Sequence, residues 1–213
     1  FNVPTSFLSV TDVIKALDKN TINFPLIIKP RWGMGSIGIF EADDKEELLV
    51  LYKKTLNSIK NSYLKYESTQ ELDKSIIIQE KLLGDEYGLD VFNDLNGDFL
   101  TCVPKKKLAM RAGETDSAEI IENNELTKIG KKISQLSKHI GNLDVDCFYV
   151  DNRFYILEMN CRFGGQYPFS HMAGVNFPKA LLQLIQNEKV KEIFLKANSG
   201  TIGIKDLVPV KIN

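Results

Sequence analysis

The 213-residue sequence has few arginines, histidines and cysteines. Its three cysteines, Cys102, Cys147 and Cys161, lie far apart, so they predict neither a disulfide framework nor a Cys-x-x-Cys metal pair. A reducing, cytoplasmic environment is the simplest expectation. The formal net charge of −1 argues against a general nucleic-acid or membrane surface. No apolar run approaches the roughly 18 residues of a membrane-spanning helix.

The composition is that of an ordinary globular protein, with 43% hydrophobic and 26% charged residues. The first residues, FNVPTSFLSV, begin without Met and pass directly into a strand-like segment. We therefore expect a fragment with a further part upstream. Only four of the 27 basic residues are arginine. Because a planar guanidinium suits bidentate anion binding, Arg111 and Arg162 are candidate site residues.

Hydrophobic periodicity predicts an α+β protein with two lobes that meet near residues 82–84. A long helix should follow a cap at Asp43 or Asp44, and a second helix is expected over residues 124–140. Residues 106–124 are polar and are interpreted as a loop. The expected strands lie at residues 6–10, 24–29, 37–41, 75–82, 87–92 and 99–105, and a hairpin over residues 144–160 turns at residues 151–153.

Residues 24–40, FPLIIKPRWGMGSIGIF, contain the pattern G-x-G-x-x-G at Gly33, Gly35 and Gly38. A dinucleotide-binding domain needs a helix directly after these glycines, whereas IGIFEADD predicts a strand. A Rossmann-type oxidoreductase is therefore the least favoured interpretation. A strand–loop–strand hairpin remains, with Ser36 at its tip and free backbone N–H groups that could approach an anion. A flexible hairpin tip without a ligand is the alternative.

Two further parts of the sequence could also contact a nucleotide. Lys29 closes an apolar strand and could place its charge on a phosphate, although a solvated strand end is the alternative. In the segment IIIQEKLLGDEYGLDV, a buried strand ends in Glu80-Lys81-Leu82-Leu83. Free backbone groups after it could contact an adenine edge, and Glu86 could accept hydrogen bonds from ribose hydroxyls. A plain hinge between the lobes is the alternative.

The segment YILEMNCRFGG places Glu158 and Asn160 two residues apart on a strand, so both side chains share a face that Arg162 continues. Asp146 on the partner strand would stand opposite Glu158 if the turn is three residues long and centred on Asn152. A slip of one residue would break that pairing. Two carboxylates and an amide oxygen suit Mg²⁺. A polar face turned to water is the alternative.

In this order, the three segments resemble the ATP-grasp superfamily, especially its carbamoyl-phosphate-synthetase-like and biotin-carboxylase-like branch. The resemblance covers about residues 1–185. It implies an ATP-grasp fold of two α+β lobes, residues 1–83 and 84–213, with the nucleotide between them and an N-terminal domain missing upstream. It implies an ATP-dependent ligase that activates a carboxylate as an acyl-phosphate for attack by an amine. A non-catalytic ATP-binding module, or one subunit of a split enzyme, is the alternative.

The resemblance also implies ATP and Mg²⁺ or Mn²⁺ as cofactors and a small carboxylate substrate, for example an amino acid. Neither nucleic acid nor membrane is expected as a partner, and a homodimer is compatible with it. The implied nucleotide-binding residues are Lys29, Gly33, Gly35, Ser36, Gly38, Glu80, Lys81, Leu82, Leu83 and Glu86. Lys29 and the glycine lid would contact the phosphates, the segment from Glu80 would hold the adenine, and Glu86 would hold the ribose.

The same resemblance implies that Asp146, Glu158 and Asn160 hold one or two metal ions. Arg162 would then stabilise the phosphate or the acyl-phosphate. Within the variable segment 104–116, Lys107 and Arg111 could bind a substrate carboxylate, and Arg111 suits this better because of its fork. A solvated loop is the alternative for that segment.

Overall fold

The computed structural model describes residues 1–33, 36–206 and 211, which divide into two compact units. One unit comprises residues 3–83, and the other comprises residues 1–2 together with residues 84–213. Each unit combines an antiparallel sheet with helices, which confirms the predicted α+β class. Within the described residues, no helix is long and apolar enough to cross a membrane.

The smaller unit packs helices against a sheet with the order β1-β4-β2-β3. Its elements are β1 (Ser6–Phe7), α1 (Val10–Asp18), β2 (Leu26–Pro30), β3 (Phe40–Ala42), α2 (Lys45–Lys60), α3 (Lys65–Ser68), a 3₁₀ turn (Thr69–Lys74) and β4 (Ile76–Glu80). The predicted cap of α2 is present, because the Asp44 side chain accepts a hydrogen bond from the Glu47 N–H at 2.9 Å. Apolar side chains of α2 such as Leu48 and Ile59 fill the core.

The strand predicted at residues 37–41 is wrong in its start. Ser36 and Gly38 have φ values of 57° and 72°, so this segment turns, and β3 begins only at Phe40. The buried Thr55 hydroxyl on α2 donates to the Gly38 carbonyl oxygen at 3.0 Å. This hydrogen bond fixes the end of the glycine loop to α2. Gly35 lies outside the described residues.

The larger unit is built on a sheet with the order β10-β7-β6-β5-β8-β9. Its elements are β5 (Asp85–Asn93), β6 (Phe99–Arg111), β7 (Glu114–Ile120), α4 (Asn124–Ser137), β8 (Gly141–Val150), β9 (Arg153–Asn160), α5 (Tyr167–Met172), α6 (Phe177–Ile185), a 3₁₀ turn (Glu192–Phe194) and β10 (Ile202–Ile204). α4 packs on one face, through Leu126 and Ile133. α5 and α6 pack on the other, through Phe169 and Phe177.

The polar loop predicted over residues 106–124 is wrong, because most of this segment forms a hairpin. β6 continues to Arg111, and β7 follows after Ala112 and Gly113, whose φ values of 51° and 80° make a tight turn. Ala118 is buried in the core beneath α5 and α6. The register of β6 and β7 is irregular near Ala109. This irregularity interrupts the alternation of apolar and polar residues by which strands are recognised in a sequence.

α4 ends three residues before the predicted position, because Lys138 adopts a left-handed conformation with φ 49°. The following His139 is 8% exposed. Its Nε2 lies 3.1 Å from the Val91 carbonyl oxygen and its Nδ1 lies 2.8 Å from the Ser137 hydroxyl. A carbonyl only accepts, so Nε2 carries a proton. Burial lowers the pKa of His139, and the hydrogen bond to Val91 opposes this only in part.

We expect His139 to make the protein less stable in acid. An imidazole whose pKa is lowered by folding contributes full stability above its unfolded-state pKa of about 6.5, and this contribution is lost as the pH falls below that value. In denaturant unfolding at pH 7.5 and 5.5, His139→Asn should therefore lose less free energy of unfolding between the two pH values than the wild type. The same substitution at the exposed His171 is the control. Equal pH dependence of His139→Asn and wild type would contradict the prediction.

Candidate active site

The predicted nucleotide-binding residues of the smaller unit lie on β2, in the loop after it and at the end of β4. Lys29 belongs to β2 and is buried. The Glu80 carboxylate accepts a hydrogen bond from the Thr5 N–H at 2.7 Å, and Lys81 forms an ion pair with Glu41 at 2.6 Å. The side chains of Glu80 and Lys81 therefore support the sheet. Gly33, Ser36 and Gly38 lie in the glycine loop, and Leu82 and Leu83 follow β4.

In the larger unit, Asp146 stands opposite Glu158 as predicted, although the predicted turn is wrong. The turn has two residues, Asp151 and Asn152, both with positive φ. A bulge at Leu157 adds the missing residue between β8 and β9. The shorter turn and the bulge compensate each other, so Asp146 and Glu158 pair as a three-residue turn would have paired them.

Four oxygen-bearing side chains lie around this pairing. Asp144 stands opposite Asn160, next to the pair of Asp146 and Glu158. The Asn160 amide donates to the Glu158 carboxylate at 3.1 Å, which confirms that the two side chains share a face. The strands therefore collect three carboxylates and one amide at the open end of the β8–β9 pair.

Lys107 supplies positive charge to this cluster from β6. Its ammonium lies 2.7 Å from Asp146 and 3.6 Å from Glu86, and its side chain is only 6% exposed. Burial alone would lower the pKa of Lys107, but the charges of Asp146, Glu86 and Asp144 outweigh it and raise that pKa. The predicted metal ligand Asp146 and the predicted ribose ligand Glu86 thus share one buried cation.

Asp144 is buried and connects β8 to the segment after β9. Its carboxylate accepts from Arg162 at 3.2 Å and from the Gln166 amide at 2.5 Å. Burial, followed by the charge of Asp146, raises the pKa of Asp144 to about 6. A Cβ on Gly164 would overlap the Asp144 carboxylate, so the Gly164 backbone rests against that group. This explains why a glycine follows Phe163.

A second buried charge pair lies next to the cluster. Lys105 and Asp90 are fully buried and 2.5 Å apart, and the Ser170 hydroxyl on α5 donates to the same Asp90 oxygen at 2.5 Å. The Asn142 amide contacts the other Asp90 oxygen at 3.3 Å and the Arg162 carbonyl oxygen at 3.3 Å. This network ties α5 and the segment that carries Arg162 to the sheet.

Arg111 has different partners from those of Arg162. Its guanidinium forms an ion pair with Asp116 across the β6–β7 hairpin and donates to the Lys205 carbonyl oxygen at 3.1 Å. Its contacts are therefore with β7 and with the residue that follows β10, and the predicted role of Arg111 in substrate binding stays a prediction.

The residues present suit a hard divalent cation. Asp146, Glu158 and Asn160 supply carboxylate and amide oxygens, which Mg²⁺ prefers. Only two of these three are acidic. In the part of the chain that the structure describes, no group of three or more His, Cys, Asp or Glu side chains is placed to hold a metal. A cation here would depend on substrate phosphates for its remaining ligands, as Mg²⁺ sites in phosphate-binding enzymes do.

Two residues of the cluster were missed by sequence reasoning. Asp144 lies two residues before Asp146, so the strand period in DVD was the signal that could have found it. Gln166 follows Gly164 and Gly165 without a local pattern, and its partners lie about 20 residues earlier on β8. Its role becomes visible only in the folded chain.

The chain belongs to an ATP-grasp family. Residues 73–202 match the family model described as "ATP-grasp in the biosynthetic pathway with Ter operon". This match confirms the predicted resemblance to the ATP-grasp superfamily and includes the segment from Glu80 to Glu86 and the Glu-x-Asn strand.

Individual relatives are similar over most of the chain but are much longer. Acetyl-CoA carboxylase of Saccharomyces cerevisiae is 27% identical over 166 residues, which cover 76% of this chain and 7% of that protein. The biotin carboxylase domain of the Hydrogenobacter thermophilus 2-oxoglutarate carboxylase, a dimer in complex with MgADP and bicarbonate, superposes with a TM-score of 0.67. It is 16% identical, over 94% of this chain and 46% of that one. L-amino acid ligase from Bacillus licheniformis has a TM-score of 0.67 and 17% identity, over 99% of this chain and 52% of that one.

Substitution at the two neighbouring glycines should separate a packed position from an open one. Gly164→Ala forces its Cβ into the Asp144 carboxylate, and we expect a loss of about 1–3 kcal/mol in the free energy of unfolding. At Gly165 a Cβ would meet its nearest atoms at ordinary contact distances, the Glu114 carboxylate from 3.5 Å and the Lys205 ammonium at 3.7 Å. Gly165→Ala should therefore stay within about 0.5 kcal/mol of the wild type. Denaturant unfolding measures both, and equal losses would contradict the assigned contact.

Proposed function

We propose that this chain is the nucleotide-binding part of an ATP-dependent ligase that activates a carboxylate as an acyl-phosphate for attack by an amine. The observation that carries the proposal is the pairing of Asp146 with Glu158 beside Asn160, with Arg162 nearby on Asp144. Membership of the ATP-grasp family supports it. The chain spans only 7% of the yeast carboxylase and about half of the two solved relatives, so the activity of the whole protein is part of the proposal.

The nucleotide is proposed to be ATP. Lys29 and the loop of Gly33, Gly35, Ser36 and Gly38 would bind the phosphates. The backbone of Lys81, Leu82 and Leu83 would hold the adenine, together with Glu80, and Glu86 would hold the ribose. The complex of the Hydrogenobacter carboxylase domain with MgADP supports a magnesium nucleotide.

Mg²⁺ bound at Asp146, Glu158 and Asn160 would neutralise phosphate charge. The carboxylate and amide oxygens of these three residues would lie on one face of the sheet. Arg162 would bring a guanidinium to the transferred phosphate. A substrate carboxylate oxygen then attacks the γ-phosphorus, the bond to the β-phosphate bridging oxygen breaks, and ADP leaves. In the second step an amine nitrogen attacks the acyl carbon, phosphate leaves with its oxygen, and the amine releases a proton.

The substrate is proposed to be a small carboxylate such as an amino acid, because an L-amino acid ligase shares the fold over 99% of this chain. A homodimer is also proposed from a solved structure, since the Hydrogenobacter carboxylase domain is a dimer. Cytoplasmic location stays a prediction from the cysteine content.

Calorimetric titration of the chain with a non-hydrolysable ATP analogue, with and without Mg²⁺, tests the first part of this proposal. We expect binding that Mg²⁺ strengthens, whereas NADH should not bind. Binding of NADH would favour the Rossmann alternative. Equal affinity with and without Mg²⁺ would favour a nucleotide-binding module without a catalytic cation site.

Cys161 offers a built-in reporter for the same titration. It is exposed between Asn160 and Arg162, whereas Cys102 and Cys147 are buried. Burial raises the pKa of both buried thiols to about 12, so they should react slowly with an alkylating reagent. We expect the magnesium-bound analogue to slow alkylation of Cys161, followed by mass spectrometry. An unchanged rate at saturating analogue would place the nucleotide away from β9.

Loss of two proposed cation ligands should remove the magnesium effect. Glu158→Gln combined with Asn160→Ala should abolish the Mg²⁺-dependent part of nucleotide affinity and leave the circular dichroism spectrum unchanged, because both side chains lie at the end of a strand. Glu46→Gln with Asn57→Ala, on the exposed face of α2, is the matched control. Full magnesium dependence in the Glu158/Asn160 variant would rule out the proposed cation site.

A further inference from the structure

The Gln166 side chain lies between two carboxylates of the same strand. It is 3% exposed, and its Nε2 donates to Asp144 at 2.5 Å and to Asp146 at 3.1 Å. Two like charges two residues apart on one face of β8 repel each other, and burial strengthens that repulsion. A neutral amide with two N–H donors offsets it without adding a charge. Among the hydrogen bonds described for Asp144 and Asp146, those from Gln166 are the ones that join both carboxylates to the same side chain.

The orientation of this amide follows from its neighbours. Both carboxylates accept hydrogen bonds from it, so the amide nitrogen faces them and the Oε1 atom points away. Oε1 is buried and has no hydrogen-bond partner among the described residues. It rests on Gly88 of β5, where a Cβ would overlap the amide. Gly88 pairs with Asp146 in the sheet register, so the absence of a side chain there leaves the space that Gln166 occupies.

The hydrogen bond from Gln166 also fixes the direction of the Asp146 carboxylate. Its Oδ1 atom receives both the Gln166 amide at 3.1 Å and the Lys107 ammonium at 2.7 Å. With two donors on one oxygen, the carboxylate plane is held and neither donor uses Oδ2. A carboxylate fixed in this way presents one oxygen to a further ligand at little cost in conformational freedom.

We propose that Gln166 is a positioning residue that orients Asp146 toward a divalent cation, and that Gly88 is required because it leaves room for the Gln166 amide. The inference rests on the proposed function, since it takes Asp146 as a cation ligand. Partners that hold metal-binding carboxylates typically change metal affinity by about 10- to 100-fold when they are removed.

A purely structural role for Gln166 would predict a different result. α5, which begins directly after Gln166, is also fixed by Ser170 on Asp90 at 2.5 Å and by the Tyr167 hydroxyl, which accepts from the Phe177 N–H at 3.0 Å. Loss of the Gln166 amide should therefore leave the helix in place and change the carboxylates alone.

The first test uses Gln166→Met, which keeps the length of the side chain and removes both donors. Mn²⁺ serves as the probe because electron paramagnetic resonance measures its free concentration directly. We expect Mn²⁺ affinity, with the non-hydrolysable ATP analogue present, to fall about 10-fold or more. Affinity for the analogue without metal should not change. Gln183→Met on α6 is the matched control and should bind Mn²⁺ like the wild type.

The second test reaches the same contact without changing Gln166. Gly88→Ala places a methyl group where the end of the Gln166 side chain lies, and a flexible side chain can swing away from it. Mn²⁺ affinity should fall by a similar factor. Because both substitutions break one contact, the double variant should bind Mn²⁺ no more weakly than the weaker single variant. This variant also keeps the inference testable if Gln166→Met does not fold.

The outcomes separate the inference from the proposed function. If the wild type binds Mn²⁺ and both single variants bind it equally well, the positioning role is overturned and the cation site remains. If the losses add in the double variant, Gly88 does not act through Gln166 and the inference is overturned. A wild type without Mn²⁺ affinity overturns the cation site itself, and the positioning role falls with it.

Discussion

The larger unit depends on burying charges on a sheet face and compensating each of them there. Lys105 and Asp90 are both fully buried and 2.5 Å apart, in the middle of the sheet beneath α5. A buried charge without a partner costs several kcal/mol, so each residue requires the other. The same pairing of charges continues toward the edge of the sheet. The charge of Lys107 compensates those of Asp146 and Glu86, and the charge of Arg162 compensates that of Asp144. The face is therefore polar at one end and apolar at the other, where α6 packs.

This arrangement explains why the candidate site lies where it does. Hydrophobic packing holds α4 on one side of the sheet, through Leu126 and Ile133. On the opposite side, the apolar core formed by Phe92, Phe169 and Phe177 ends before β8 and β9 are covered. Asp146 and Glu158 lie beyond that core, on strands already fixed by their neighbours. The proposed cation ligands Asp146 and Glu158 thus lie on strands of the sheet rather than on loops.

The sequence predicted the local features well and the long-range contacts poorly. The cap at Asp44 and the family could be inferred from spacing and motifs within short segments. The pairing of Asp146 with Glu158 was predicted from a wrong turn length and holds because the bulge at Leu157 compensates for it. The hairpin of β6 and β7 was missed because irregular register near Ala109 disturbs the alternation that identifies strands. Gln166 was missed because its carboxylate partners and Gly88 come from other strands, a relation that no local pattern records. The fold class was thus accessible, whereas the support of the carboxylates was not.

Because of the bulge at Leu157, the length of the β8–β9 turn alone does not determine which residues pair beyond the bulge. A two-residue turn with the bulge and a three-residue turn without it produce the same pairing of Asp146 with Glu158 and of Asp144 with Asn160. Insertion of one residue at the turn and deletion of one at the bulge would together leave the carboxylate face unchanged. Related chains can therefore differ by a gap at this turn while the residues equivalent to Asp144, Asp146, Glu158 and Asn160 keep the same positions in space. An alignment should be anchored on the strand ends that carry the carboxylates, rather than on the turn that joins them.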